Sequence, residues 1–113
     1  MTKAHQGLEP AFLHPTRLAV VAFLSGCVEA EFRAVRENCE ISEPTLSKLA
    51  TALESEGHLK IRKGYIGRRP RTWLSLTGSG RIRLDSHLAT LQEIAAQNTR
   101  NAAILETEPG LSD

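Results

Sequence analysis

Apolar positions along the chain change their period, and the changes divide it into elements. Between Pro15 and Ser25, Leu18, Val21, Ala22 and Ser25 recur at helical steps with Ala19 and Phe23 beside them, the stripe of an amphipathic helix. Pro15 suits a first helical turn, and Gly26 supplies the stop. Ahead of it, Leu8, Phe12 and Leu13 share helical spacing in a short segment that ends near Pro15, because the residue before a proline is pushed out of the helical region. Cys27 to Ala30 reads as a connector. Glu31 to Asn38 reads as a small helix that turns Phe32, Val35 and Ala34 inward and is too short to stand alone.

Ser42 is the clearest N-cap, since its hydroxyl can satisfy an orphan backbone N–H just before Glu43 and Pro44, two residues that suit a first turn. The helix it opens runs to about Glu56 on Leu46, Leu49, Ala50 and Leu53. Thr45, Ser47, Lys48 and Thr51 occupy the opposite side, and Gly57 ends it. With the preceding small helix it forms a helix-turn-helix candidate joined by Cys39 to Ile41. After Gly57 the period becomes two. His58 to Lys63 sets Leu59 and Ile61 against Lys60 and Arg62, and Arg71 to Leu76 sets Leu74 and Leu76 against Trp73 and Ser75, which predicts a hairpin. The intervening Gly64 to Pro70 reads as a mobile basic loop, too long for a tight turn. Trp73 falls on the face of Lys60 and Arg62, where a cation–π contact would order the strands.

Thr77 caps a final helix that continues to about Thr107, where Pro109 and Gly110 stop it. Leu84, Leu88, Leu91, Ala95, Asn98, Ala102 and Leu105 follow at alternating four- and three-residue steps, a coiled-coil-like seam with one polar site. So small a body cannot bury so long a helix. Its first half can lie back across its own domain, while the second half is expected to pair with another copy.

At 113 residues the chain suits one compact domain and excludes a multidomain enzyme. Aromatics make up only 4%, so the core must be aliphatic. Fourteen Lys and Arg against thirteen Asp and Glu look unpromising for nucleic acid until the charges are located. Eight of the cations, Lys60, Arg62, Lys63, Arg68, Arg69, Arg71, Arg81 and Arg83, lie between Gly57 and Leu84 without an acid. The remainder is acidic, so the chain is dipolar. By itself such a block serves equally as a solvated face or a nucleic-acid surface.

Other chemistry is sparse. The first ten residues lack the apolar stretch of a signal peptide, and Leu18 to Leu24 is too short to span a membrane, so a cytoplasmic protein is expected. Cys27 and Cys39 lack CxxC spacing and read better as buried inert thiols than as a redox pair. His5, His14, His58 and His87 show no metal-ligand spacing, and no metal or cofactor is inferred. No nucleophile–base arrangement, phosphate-cradling glycine motif before a helix or useful carboxylate pair appears, so the expectation is not an enzyme.

The residues carry a resemblance. The Ser-capped helix ending in Leu53-Glu54-Ser55-Glu56-Gly57-His58-Leu59, the basic hairpin and Leu76-Thr77-Gly78-Ser79-Gly80-Arg81 together resemble winged helix-turn-helix transcriptional regulators of the MarR and ArsR type. His14-Pro15-Thr16-Arg17-Leu18, Ile41 to Lys48 and Lys63 to Thr72 look like the short winged-helix DNA-binding subfamily of that group. The similarity covers roughly residues 12 to 85. It implies a mainly α fold with a small antiparallel hairpin, residues 8–76 forming the winged-helix core with its N-terminal helix, 77–107 a dimerisation helix and 108–113 a tail.

The implied function is that of a homodimeric regulator on a pseudo-palindromic duplex, the helix from Ser42 in the major groove and the hairpin as a wing on the backbone or minor groove. Ser42, Glu43, Thr45, Ser47, Lys48 and Thr51 are then the recognition-helix contacts, and Lys60, Arg62, Lys63, Arg68, Arg69 and Arg71 the wing contacts. The dimer contact falls to Leu8, Phe12 and the seam residues. Relatives often carry more basic residues in mid-helix than Thr51 and Ala52 offer, and Glu43 repels phosphate although it can accept from a cytosine amino group, so base readout is expected to be sparse. The alternative is a winged helix that docks an acidic protein through the same basic block. Neither operator nor effector is legible.

Overall fold

Four α-helices and three strands follow one another through residues 6–107, which the computed structural model describes, with side chains to residue 100. They are α1 (Pro15–Ser25), β1 (Ala30–Glu31), α2 (Phe32–Cys39), α3 (Glu43–Ser55), β2 (Leu59–Ile66), β3 (Arg69–Leu76) and α4 (Gly78–Thr107). The sheet is antiparallel with order β1-β3-β2, so the hairpin β2–β3 is extended by the two residues of β1. The expected winged helix-turn-helix arrangement is present, α2 and α3 forming the helix pair and β2–β3 the wing. No described helix is long and apolar enough to cross a membrane. The 108–113 tail lies outside the described residues.

Val20, Val21, Leu24, Val35, Leu46, Leu53, Leu59, Leu74 and Leu84 form an aliphatic core with Phe12 fully buried in it and Phe23 and Phe32 packed against it half-buried. The period of α1 was legible but its phase was not. Val20 and Leu24 are buried, whereas Ala22 and Ser25 of the expected stripe are exposed. The N-terminal turn, α2 and β3 all pack on α1, and they select a buried face that the sequence spacing alone does not fix. Gly26 ends α1 without left-handed geometry (φ −88°). Arg81 instead donates to the terminal Ser25 carbonyl at 2.9 Å, meeting an orphan acceptor from outside the helix.

Three further boundaries differ from expectation. The segment around Phe12 is a single 3-10 turn, Pro10–Phe12, capped by the Glu9 carboxylate, which accepts from the Ala11 N–H at 3.3 Å. Ala30 and Glu31 pair with Leu74 and Trp73, so α2 begins at Phe32 rather than Glu31. The hairpin is longer and its turn tighter than expected. β2 runs to Ile66, β3 starts at Arg69, and only Gly67 and Arg68 lie between them. Gly67 has φ +64°, the positive value a two-residue hairpin turn needs at its first central position. Pro70 is tolerated in β3 because β1 reaches only Trp73 and Leu74, leaving β3 with one neighbour at the proline.

Two histidines that look scattered in sequence meet around Phe12. Its ring centroid is 5.1 Å from that of His58 and 5.7 Å from that of His87. His87 Nδ1 accepts from the Glu9 N–H at 3.0 Å, which pins the N-terminal turn to α4. Burial pushes the His87 pKa down, and the nearby Glu9 carboxylate opposes it with a smaller upward pull.

Candidate nucleic-acid interface

α3 is built to show one polar face. Ser42 Oγ accepts from the Thr45 N–H at 3.3 Å and donates to Thr45 Oγ1 at 2.8 Å, so the predicted cap forms and also fixes the Thr45 side chain. Leu46, Leu49, Ala50 and Leu53 anchor the inner face in the core. Glu43, Thr45, Ser47, Lys48 and Thr51 are all exposed on the outer one. Glu54, which sequence reasoning passed over, accepts from the Ile61 N–H at 2.9 Å through its carboxylate and so ties α3 to β2. A lone acid near a helix end before a strand carries no sequence signal for such a contact.

The wing carries its cations on a rigid ladder rather than a loose loop. Arg62 faces Trp73 across the hairpin, with its guanidinium carbon 4.1 Å from the ring centroid, the cation–π contact expected from the alternation. Arg62 also donates from Nε and Nη2 to the two carboxylate oxygens of Glu29, each at 2.8 Å. The hydrogen bonds from Arg62 hold the Glu29 carboxyl below its usual range, and the same contact raises the guanidinium pKa. Arg71 Nε lies 2.9 Å from Glu31 Oε1.

Two of the six expected wing cations are therefore neutralised inside the chain. Their acidic partners stand outside the basic block in sequence and reach it through β1, which no sequence pattern announced. Among the described residues, Lys60, Lys63, Arg68 and Arg69 form no ion pair. Two other cations of the block have partners outside it. Arg81 caps α1, and Arg83 Nε lies 4.0 Å from Glu9 Oε1.

A groove of about 240 Å³ joins α3 to the wing, with Glu43, Ser47 and Thr51 on one wall and Lys63 and Thr72 on the other. Ser47 and Thr51 of α3 and Lys63 of the wing thus line one groove. The expected dimer residues divide differently. Phe12 is 0% and Leu84 1% exposed in the protomer's own core, so neither has surface to offer a second copy, contrary to expectation. Leu8 is half-buried, while Leu88, Leu91, Ala95 and Asn98 are exposed along α4. The side chains of Ala102 and Leu105 lie outside the described residues.

Both cysteines are free and half-buried. Burial raises the Cys39 thiol pKa, which disfavours the nucleophilic thiolate. Among the described residues no group of His, Cys, Asp and Glu could hold a metal ion.

The model of the winged helix DNA-binding domain matches residues 16–95, which spans α1 through much of α4. No curated protein matches the chain. Among solved structures, a transcriptional regulator homologue from Pyrococcus horikoshii OT3 is 25% identical, with a TM-score of 0.72 over 77% of this chain and 86% of that one. The YusO protein of Bacillus subtilis is 23% identical, with a TM-score of 0.68 over 85% of this chain and 67% of its own. MepR of S. aureus, solved as a DNA complex, is 19% identical with a TM-score of 0.68, covering 90% of this chain and 83% of its own. The last two likenesses speak to the fold alone. With helix pair, capped third helix and hairpin all inside the matched span, the chain belongs to the winged-helix DNA-binding domain family.

Proposed function

We propose that the chain acts as a homodimeric transcriptional regulator on a pseudo-palindromic duplex, each protomer placing α3 in the major groove and its wing on the flanking backbone or minor groove. The observation that carries this reading is the groove in which Glu43, Ser47 and Thr51 of α3 meet Lys63 of the wing, on a hairpin that also exposes Lys60, Arg68 and Arg69 without ion-pair partners among the described residues. Arg68 and Arg69, at and beside the tight turn, suit a narrow electronegative groove or a phosphate clamp. Thr45, Ser47, Lys48 and Thr51 supply donors toward backbone and base edges, and Ser42 orients Thr45. Arg62 and Arg71 act indirectly, by stiffening the hairpin that carries the free cations. Residues 8–76 form the DNA-binding unit and 77–107 the dimerisation helix.

The test is a binding titration on the DNA upstream of the protein's own gene at several salt concentrations. If each protomer neutralises about four phosphates, the log–log salt slope of the dimer is roughly −7. No binding, or a flat salt response, overturns the proposal. Exposed Tyr65 and Ile66 at the wing tip favour a second reading, the docking of an acidic protein. Arg68→Ala with Arg69→Ala leaving DNA affinity intact would select it.

A further inference from the structure

The quartet His14-Pro15-Thr16-Arg17 has no part in the face described above, yet the fold brings it against the recognition helix. His14 is the extended residue before α1 and Pro15 its first helical position, which places Thr16 and Arg17 in the opening turn. His14, Thr16 and Arg17 line a groove of about 260 Å³ whose other wall is Thr45, Lys48 and Leu49 of α3. Residues 45, 48 and 49 form one flank of α3. Residues 43, 47, 50 and 51 form the other flank, against the wing.

A helix of about 10–12 Å diameter fills a major groove about 12 Å wide, so a sugar–phosphate strand runs past each of its flanks. The chemistry of the grooves differs. The one between α3 and the wing contains Glu43, and a neighbouring one contains both Glu31 and Glu43. The groove at α1 has no carboxylate in its lining, but an ammonium, a guanidinium, an imidazole and two hydroxyls. Among the described residues Arg17 has one ion-pair partner, Glu56, at 3.9 Å, with the two side chains 31% and 44% exposed. So loose a pair is worth little and yields readily to a stronger anion.

We infer that this groove seats a phosphodiester of the DNA strand that passes α3 on the side away from the wing. Arg17 and Lys48 supply the charge, and His14 and Thr16 the hydrogen bonds. The inference rests on the regulator reading and adds a contact to it: α1, outside the helix pair and the wing, holds the second strand and fixes how α3 lies in the groove.

The test compares Arg17→Gln with Glu56→Gln in anisotropy titrations on upstream duplex DNA. Arg17→Gln is expected to weaken binding about tenfold on every duplex the wild type binds. It should also reduce the magnitude of the dimer's salt slope by about 1.8, from two lost phosphate contacts at about 0.9 each. Glu56→Gln, which removes the competing acid and with it the 3.8 Å approach to His58 Nε2, keeps or raises affinity. Single neutral methylphosphonates along the duplex then locate the seat as a position that weakens the wild type but not Arg17→Gln. Equal losses of affinity and melting temperature in both variants mark a structural ion pair and overturn the inference, as does wild-type affinity in Arg17→Gln or the absence of any such position. A wild type that binds no duplex overturns the regulator reading itself.

Discussion

At Arg62 three groups meet: Glu29 takes the guanidinium edge formed by Nε and Nη2, Trp73 lies against its face, and the side chain stays exposed. A phosphate approaching Arg62 must compete with a bidentate carboxylate already in place. Arg62→Ala is therefore expected to stay within about threefold of wild-type DNA affinity, since an exposed pair is worth little net. The double change Arg68→Ala, Arg69→Ala removes unpaired cations and costs about tenfold or more. The emission of Trp73, the only tryptophan, shifts in Arg62→Ala as the ring loses its cover, so fluorescence and binding separate the two roles. His87 argues for a second measurement. Its folded pKa lies below the unfolded value of about 6.5, so its neutral form is favoured by folding. Its contribution to stability is complete above about pH 6.5 and is lost as pH falls through the depressed folded pKa. Thermal melts of the wild type should show that acid loss, and His87→Asn, which offers an acceptor to the Glu9 N–H without titrating, should show less of it.

α3 and α4 were legible in the sequence because their signals are local: Ser42 and Thr77 each cap their own helix, and Thr77 Oγ1 accepts from the Gly80 N–H at 2.8 Å. β1 was not legible, because two residues become a strand only through partners more than forty positions away in β3. The wing tip was misread for the opposite reason. Glycines at 64 and 67 and Pro70 resemble loop chemistry, yet the ladder continues through Tyr65 and Pro70 to a turn that needs only Gly67 and Arg68. Of the candidate site, the polar face of α3 and the Arg62–Trp73 contact followed from periodicity. The loss of Arg62 and Arg71 to acids required the sheet order. Gly67→Val forces a β-branched residue to positive φ and should cost the hairpin about 1–2 kcal/mol, seen as a lower melting temperature and weaker DNA binding together. Gly80 is constrained by space instead. A Cβ there runs into the His58 carbonyl oxygen where α4 crosses the root of β2. Gly80→Ala should destabilise the whole domain by about 1–3 kcal/mol in denaturant melts.

The molecule measures 72 × 25 × 21 Å, and its length comes from a 30-residue helix whose described side chains are buried only near its beginning. Leu84 and His87 are the last fully buried positions on α4 among the side chains described, and Leu88 and Leu91 are already 38% and 36% exposed. Charge is uneven along the chain, with eight cations and no acid between Gly57 and Leu84 and an acidic excess elsewhere. In the proposed homodimer, pairing through α4 would cover the exposed leucines and set two like-facing basic surfaces on one duplex. Asn98 would then be the polar site that fixes register at some cost in stability. A seam weakened by alanine leaves little redundancy, so Leu88→Asp with Leu91→Asp should sediment as a single chain while keeping wild-type helicity by circular dichroism. Losing the second half-site removes the intramolecular advantage of a tethered pair, about 10²-fold or more in affinity on a full site. The salt slope should fall to about half of the dimer's value, because only one protomer's phosphate contacts remain. A variant that still sediments as a dimer would place the contact elsewhere on the molecule and leave α4 without this role.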